Sequence, residues 1–230
     1  MRGALLRGLE QTGRTLTDRQ VEQFCEFGRL LVEKNQVMNL TAITEPEAVA
    51  QLHFIDSMSV LDVTDCKGKT VIDVGCGAGF PGVPMAIAEP AAKVTLLDSL
   101  QKRMNWLKEI LPTLGVEANV VAARAEEYVA DHREQYDLAV SRAVARLNIL
   151  CELCLPYVKV GGKFLALKGA MTHEEVEEAK KAIAILGGKV AKIHEYPVAD
   201  AIHRIVVVEK VKPTPKQYPR KFAKIKQNPL

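Results

Sequence analysis

No stretch of this 230-residue chain stays apolar for the roughly 20 residues that a membrane-crossing helix needs. Its opening, Met1-Arg2-Gly3-Ala4-Leu5-Leu6-Arg7-Gly8, is too short and too charged to read as a secretory signal, so a cytoplasmic location without a membrane partner is expected. Cysteine is sparse. Five scattered thiols make no disulfide framework, and an odd number leaves at least one unpaired. Internal repeats and low-complexity tracts are missing, which excludes a solenoid. Acidic residues are missing altogether after residue 209, although the whole chain carries a net charge of only +3. What remains, 48% hydrophobic and 26% charged, is the composition of an ordinary soluble protein, long enough for one large domain with a small appendage.

Against these absences stands one dense feature, Val71-Ile-Asp73-Val-Gly75-Cys-Gly77-Ala-Gly79-Phe80-Pro-Gly82, an apolar strand with one carboxylate running into a glycine-rich turn. Glycines permit the tight turn and let a ligand approach main-chain N–H groups that a Cβ would screen. Two registers compete. Gly77, Gly79 and Gly82 spell the dinucleotide pattern GxGxxG, whereas Gly75, Gly77 and Gly79 spell GxGxG. A dinucleotide loop faces a pyrophosphate, beside which Asp73 would be an unexplained anion. S-adenosylmethionine carries a sulfonium and an ammonium and no phosphate, so it tolerates Asp73 well.

Two acids further along extend the pattern. Lys93-Val-Thr-Leu-Leu-Asp98 reads as a second strand whose terminal carboxylate suits both ribose hydroxyls of an adenosine, in either cofactor. Asn119 to Ala123 reads as a third strand, followed by Arg124-Ala125-Glu126-Glu127. Glu126 suits the exocyclic amine of adenine; equally, Glu126 and Glu127 favour a helix N-terminus through its dipole. The ordered series Asp73, GxGxG, Asp98, Glu126 favours S-adenosylmethionine.

Strands are expected near 70–74, 93–97, 119–122, 137–141 and 163–168, alternating with helices. That order implies a mostly parallel α/β sheet covered on both faces. Two last strands, 189–196 and 204–209, separated by a loop, would close it with an antiparallel edge. Thr17-Asp-Arg-Gln20, Thr44-Glu-Pro-Glu47 and Thr172-His-Glu-Glu175 each have the capping-box form and are expected to open helices. The expected organisation is a helical N-terminal region (1–66), a Rossmann-like domain (67–210) and a basic tail (211–230). Cys151 and Cys154 have the spacing of a metal or redox pair, but no second pair or histidine completes a site, so they read as helix core and no metal is expected. From Lys210 onward, seven Lys and Arg residues concentrate attraction for phosphate, and Tyr218 and Phe222 are placed to stack on bases; a solvated, extended tail is the plainer reading.

Several islands together resemble the RsmG (GidB) family of bacterial 16S rRNA (guanine-N7) methyltransferases. They are Asn39-Leu-Thr41, His53-Phe-Ile-Asp56-Ser57, Gly75 to Gly82, Leu97-Asp98-Ser99, Ala123-Arg-Ala-Glu126, Ser141-Arg142-Ala-Val-Ala145, Leu167-Lys168-Gly169 and Tyr218-Pro-Arg220-Lys221. The resemblance implies a Rossmann-like S-adenosylmethionine-dependent fold and methylation of a guanine in small-subunit rRNA near the decoding site, with 16S rRNA or the small ribosomal subunit as partner. It also implies cofactor contacts at Gly75, Phe80, Ala125, Glu126 and Arg142. Lys168, Arg220 and Lys221 are candidates for phosphate or guanine contacts. After Lys221 the tail departs from the family pattern.

His53, Asp56 and Ser57 can share a helix face, but one helix cannot aim a nucleophile, base and orienter separately, so a hydrogen-bond network is expected rather than a triad. Guanine N7 attacks with an in-plane lone pair and needs no general base. Arg142, just past the fourth strand, is the candidate catalytic residue, acting by positioning. A monomer is expected. Competing readings are a small-molecule methyltransferase, a noncatalytic RNA-binding module and, less favoured, a nicotinamide oxidoreductase.

Overall fold

The computed structural model describes residues 1–230. Its seven strands are β1 (Thr70–Val74), β2 (Lys93–Asp98), β3 (Asn119–Ala122), β4 (Tyr136–Arg142), β5 (Val158–Lys168), β6 (Gly188–Val198) and β7 (Ala201–Lys210). They form one sheet in the spatial order β3-β2-β1-β4-β5-β7-β6. The first five run parallel, and β7 pairs antiparallel with both β5 and β6. The order reverses between β1 and β4. Loops leaving the C-terminal ends of those two strands therefore diverge and open a crevice, the place where such sheets bind ligands.

The last two strands are longer than their apolar runs. Instead of a loop, only Ala199 and Asp200 separate them, with Ala199 left-handed at φ 49°. Likewise β5 begins at Val158, ahead of Gly161 and Gly162, and its pairing with β4 shifts register between Tyr136 and Leu138. Glycines that read as a boundary sit inside a bulged strand instead.

Ahead of the sheet come α1 (Arg2–Gln11), α2 (Asp18–Met38), α3 (Pro46–Val49), a π-helical turn (Ala50–Ile55), α4 (Asp56–Met58) and a 3₁₀ turn (Ser59–Asp62). Thr17 caps α2 reciprocally: its Oγ1 accepts from Gln20 N at 3.3 Å, and Thr17 N donates to Gln20 Oε1 at 2.9 Å. The box expected at Thr44 does not form, and Glu45 is the N-cap without a side-chain bond. Helix α2 buries Val21, Phe24, Phe27 and Leu31 along one stripe. Phe27 lies 5.3 Å from Phe80 and 6.4 Å from Trp106, and Phe24 lies 5.0 Å from Phe54, measured between ring centroids. These helices thus share one hydrophobic core with a face of the sheet and support the glycine loop through Phe80.

The remaining helices are α5 (Gly82–Ala88), α6 (Gln101–Leu114), α7 (Ala125–Tyr128), α8 (Leu147–Cys154), α9 (Thr172–Ile185) and α10 (Phe222–Gln227). Cys151 and Cys154 are fully buried in α8, and burial raises both thiols well above their ordinary range. Helix α9 starts at Thr172 with Met171 as its N-cap, and Glu175 makes no capping bond. The tail is folded rather than extended, because Ile225 of α10 is fully buried against the second core with α8 and α9.

Candidate active site

The glycine loop is built by left-handed backbone and by the two strand acids. Gly75, Gly77 and Gly79 have φ of 75°, 57° and 98°. A Cβ on Gly75 would stand 2.4 Å from Val144 Cγ2, whereas one on Gly77 would meet nothing nearer than Arg103 Nη1 at 3.8 Å. Gly75 is therefore a close approach within the protein, and Gly77 is a cradle that a side chain would fill. Asp98 closes the loop from β2: Oδ2 accepts from Gly77 N at 3.0 Å and Oδ1 from Leu100 N at 2.9 Å.

Asp73 works inside the wall. Its Oδ2 accepts from Gly82 N at 2.7 Å, which ties the start of α5 to β1, and its Oδ1 has no partner. Burial pushes this carboxyl up to about 7, against the Gly82 N–H and the charge of Arg142. With its N–H spent on Asp73, Gly82 belongs to the helix start, whereas Gly75 and Gly77 of the GxGxG register line the cavity.

That cavity, about 550 Å³, gathers Gly75, Gly77, Phe80, Asp98, Ala125, Glu126 and Arg142, seven of the expected cofactor residues. Asp73 and Gly79 lie behind its lining. Its size suits an adenosine-bearing cofactor. Glu126 sits in the first turn of α7 with its side chain 11% exposed, 3.8 Å from Arg124. A largely apolar pocket that sets the Asp98 and Glu126 carboxylates beside an open glycine, with the Arg142 charge already committed to Asp56, fits S-adenosylmethionine.

Arg142 ends β4 and is held on every side. Nη1 donates to Leu52 O at 2.9 Å and Asp56 Oδ2 at 2.8 Å, Nη2 lies 3.1 Å from His53 Nδ1, and the guanidinium stands 5.0 Å over the Phe80 ring. His53 stacks on the same ring at 4.4 Å, and its Nε2 is 2.8 Å from Thr41 Oγ1. Burial, then the Arg142 charge, hold this imidazole down to about 4, so it is neutral and Nδ1 accepts from Arg142. Asp56 also takes Tyr196 Oη at 2.9 Å and His203 Nδ1 at 2.7 Å on Oδ1. Burial would raise its carboxyl, but the bonds from His203 and Arg142 prevail and hold it below the ordinary range. His53 on the π turn and Asp56 at the start of α4 both face Arg142, while Ser57 donates to His53 O at 2.5 Å within the helix.

A second cavity of about 710 Å³ shares His53, Arg142, Ala143 and Val144 with the first and extends to Lys168, Glu175 and His203. Ala143 in that wall is left-handed at φ 56°. Lys168 Nζ donates to Ala145 O at 2.7 Å and lies 2.7 Å from Glu175 Oε2.

The tail candidates lie elsewhere. Arg220 is turned inward: its N and Nε donate to Glu152 Oε1, each at 2.8 Å, and Nη2 donates to Oε2 at 2.5 Å. Glu152 is fully buried, so Arg220 anchors the tail instead of facing solvent. Lys221 is exposed at the N-cap of α10. Phe222 also turns inward and lines the first cavity, so it is not an open stacking platform. Sequence reasoning missed Arg103, Val144, Tyr196, Glu175 and His203 as parts of the site. Val144 lay within the Ser141–Ala145 island, and Glu175 carried a signal that pointed to a cap.

Comparisons with known proteins agree with this geometry. The family model described as GidB, rRNA small subunit methyltransferase G, matches residues 20–202. A ribosomal RNA small subunit methyltransferase G from Alkaliphilus metalliredigens is 48% identical over 229 residues, covering 97% of this chain and 96% of its own. One from Acetivibrio thermocellus is 47% identical over 235 residues, covering 100% and 97%. Among solved structures, a SAM-dependent methyltransferase from Aquifex aeolicus aligns with TM-score 0.55 at 19% identity, over 71% of this chain and 93% of that one. A SAM-dependent O-methyltransferase from Thermotoga maritima aligns with TM-score 0.55 at 19% identity, over 80% and 73%. The fold is the Rossmann-like fold of S-adenosylmethionine-dependent methyltransferases.

Proposed function

Because the chain belongs to the rRNA small subunit methyltransferase G family, we propose that it methylates N7 of a guanine in 16S ribosomal RNA near the decoding site, in the cytoplasm. The observation that carries this reading is the wall of His53, Arg142, Ala143 and Val144, common to a cofactor-sized cavity and a second one open to a base. Bound in the first cavity, S-adenosylmethionine would supply a methyl group on a sulfonium, which guanine N7 would take with its lone pair while the carbon–sulfur electron pair stayed on sulfur.

The chain's own residues hold and align. Asp98 is placed for the ribose hydroxyls and Glu126 for the adenine amine. Gly75, Gly77, Phe80 and Ala125 shape the floor, with Asp73 and Gly79 fixing the loop from behind. Arg142 is the positioning residue at the shared wall. His53 and Asp56 have their polar atoms committed to Arg142, Thr41, Tyr196 and His203, so neither is free as a general base. That suits N7, which has no proton to lose. Lys221 and the other exposed tail lysines supply phosphate contacts.

The test is transfer of tritium from labelled S-adenosylmethionine to rRNA of a strain lacking this enzyme, followed by nucleoside analysis. Label in 7-methylguanosine is expected. Label in another nucleoside, or in none, overturns the reading.

A further inference from the structure

The second cavity contains an ion pair whose hydrogen-bonding capacity is only partly used. An ammonium has three protons. Lys168 Nζ gives one to Ala145 O at 2.7 Å and stands 2.7 Å from Glu175 Oε2 as an ion pair, which leaves at least one proton uncommitted. Glu175 Oε2 also accepts from Leu147 N at 2.8 Å, while Oε1 makes no hydrogen bond within the protein. Both side chains are largely dry, 8% and 14% exposed, and both line the cavity. One unused donor and one unused acceptor thus sit side by side in a space that abuts the cofactor cavity.

We propose that Lys168 and Glu175 together read the target base, the ammonium donating to guanine O6 and the carboxylate accepting from N1–H. This rests on the guanine-N7 reading above. Adenine presents the opposite order, an amine donor at position 6 and an acceptor at N1, so it would leave both members of the pair opposed. O6 is also the neighbour of N7 on the purine rim. A grip on O6 therefore orients N7 as well as selecting the base. The pair does not engage the 2-amino group, so inosine, which keeps O6 and N1–H, is predicted to be accepted.

The experiment uses the full chain and small-subunit RNA ligated to carry guanosine, inosine or adenosine at the mapped target position. Wild-type enzyme is expected to methylate inosine within about threefold of guanosine and adenosine at least about 100-fold more slowly. Glu175→Gln should lower kcat/KM on guanosine about 10- to 100-fold with the dissociation constant for S-adenosylmethionine unchanged. Guanosine methylated normally but inosine rejected overturns the pair's role alone. So does a Glu175→Gln enzyme with wild-type transfer, or one that loses cofactor binding in step with transfer. Wild-type enzyme that yields no 7-methylguanosine overturns the functional reading and the pair's role with it.

Discussion

Arg142 Nη1 stands 2.8 Å from Asp56 Oδ2, and the other oxygen of that carboxylate holds Tyr196 and His203 from the closing hairpin. Three distant segments, the N-terminal helices, β4 and the β6–β7 edge, meet at one buried charge. Arg142 cannot leave its place over Phe80 without breaking its bonds to Leu52, His53 and Asp56, the last of which the hairpin holds. The residue at the wall between the two cavities is therefore preorganised by the fold.

Replacing Asp56 by Asn tests this arrangement. Removing one partner of a buried ion pair costs about 3–5 kcal/mol, because the remaining charge stays desolvated. Urea unfolding of Asp56→Asn should show a loss in that range, and of Tyr196→Phe about 1 kcal/mol. Cofactor affinity of Asp56→Asn should fall as well, since Phe80 and His53 lose their fixed neighbour. Wild-type stability in Asp56→Asn would mean that the carboxylate does not hold the arginine.

Two buried groups give opposite dependences on pH. His53 titrates near 4 in the fold against 6.5 ordinarily, so the unfolded chain binds the extra proton between those values and stability from this group rises with pH across that window. Asp73 is raised from 3.8 to about 7, so here the folded state keeps the proton, and stability falls as pH rises from about 4 to 7. Asp73→Asn removes only the second slope. The variant should gain on the wild type by roughly 4 kcal/mol between pH 4 and pH 7, measured by denaturant titration at each pH. A constant difference across that range would show that Asp73 is ionised in the fold.

What was legible in the sequence was local. Strand, acid and glycine spacing placed Asp73, Gly75, Gly77 and Gly79 on one strand-to-loop segment, and Asp98 at the end of its own strand, because each assignment depends on the chain within a few residues. Capping boxes show the limit. Thr17 and Gln20 formed theirs, yet Glu47 is drawn instead into an ion pair with Arg7, and Glu175 to Leu147 N and Lys168. A long-range partner outcompetes a cap worth about 1 kcal/mol. The bond between Asp56 and Tyr196 crosses 140 residues, and that between Glu152 and Arg220 crosses 68. Neither leaves a periodic trace, so the role of the closing hairpin and the folded tail emerged only in three dimensions.

The two loop glycines separate backbone strain from ligand exclusion. Gly77→Ala places a methyl group in open cavity at φ 57°, so it should cost only about 1–2 kcal/mol of stability while abolishing measurable cofactor binding by calorimetry. Gly75→Ala adds a 2.4 Å clash with Val144 to the same backbone strain and should destabilise more. Retained cofactor affinity in Gly77→Ala would place the ligand away from the loop.

Neighbouring tail residues should behave oppositely. Arg220→Ala leaves Glu152, fully buried in α8, without its counter-charge, so unfolding should become easier by about 3–5 kcal/mol and α10 should detach. Detachment removes Phe222 from the cofactor cavity, so affinity for S-adenosylmethionine should drop too. Lys221 is exposed beside it, and Lys221→Ala should leave stability and cofactor affinity unchanged. RNA binding should instead weaken, with the slope of log affinity against log salt reduced by about one. Filter binding across a salt series reads that slope. An unchanged slope for Lys221→Ala would remove this lysine from the phosphate contacts, and wild-type stability for Arg220→Ala would remove Arg220 from the anchor.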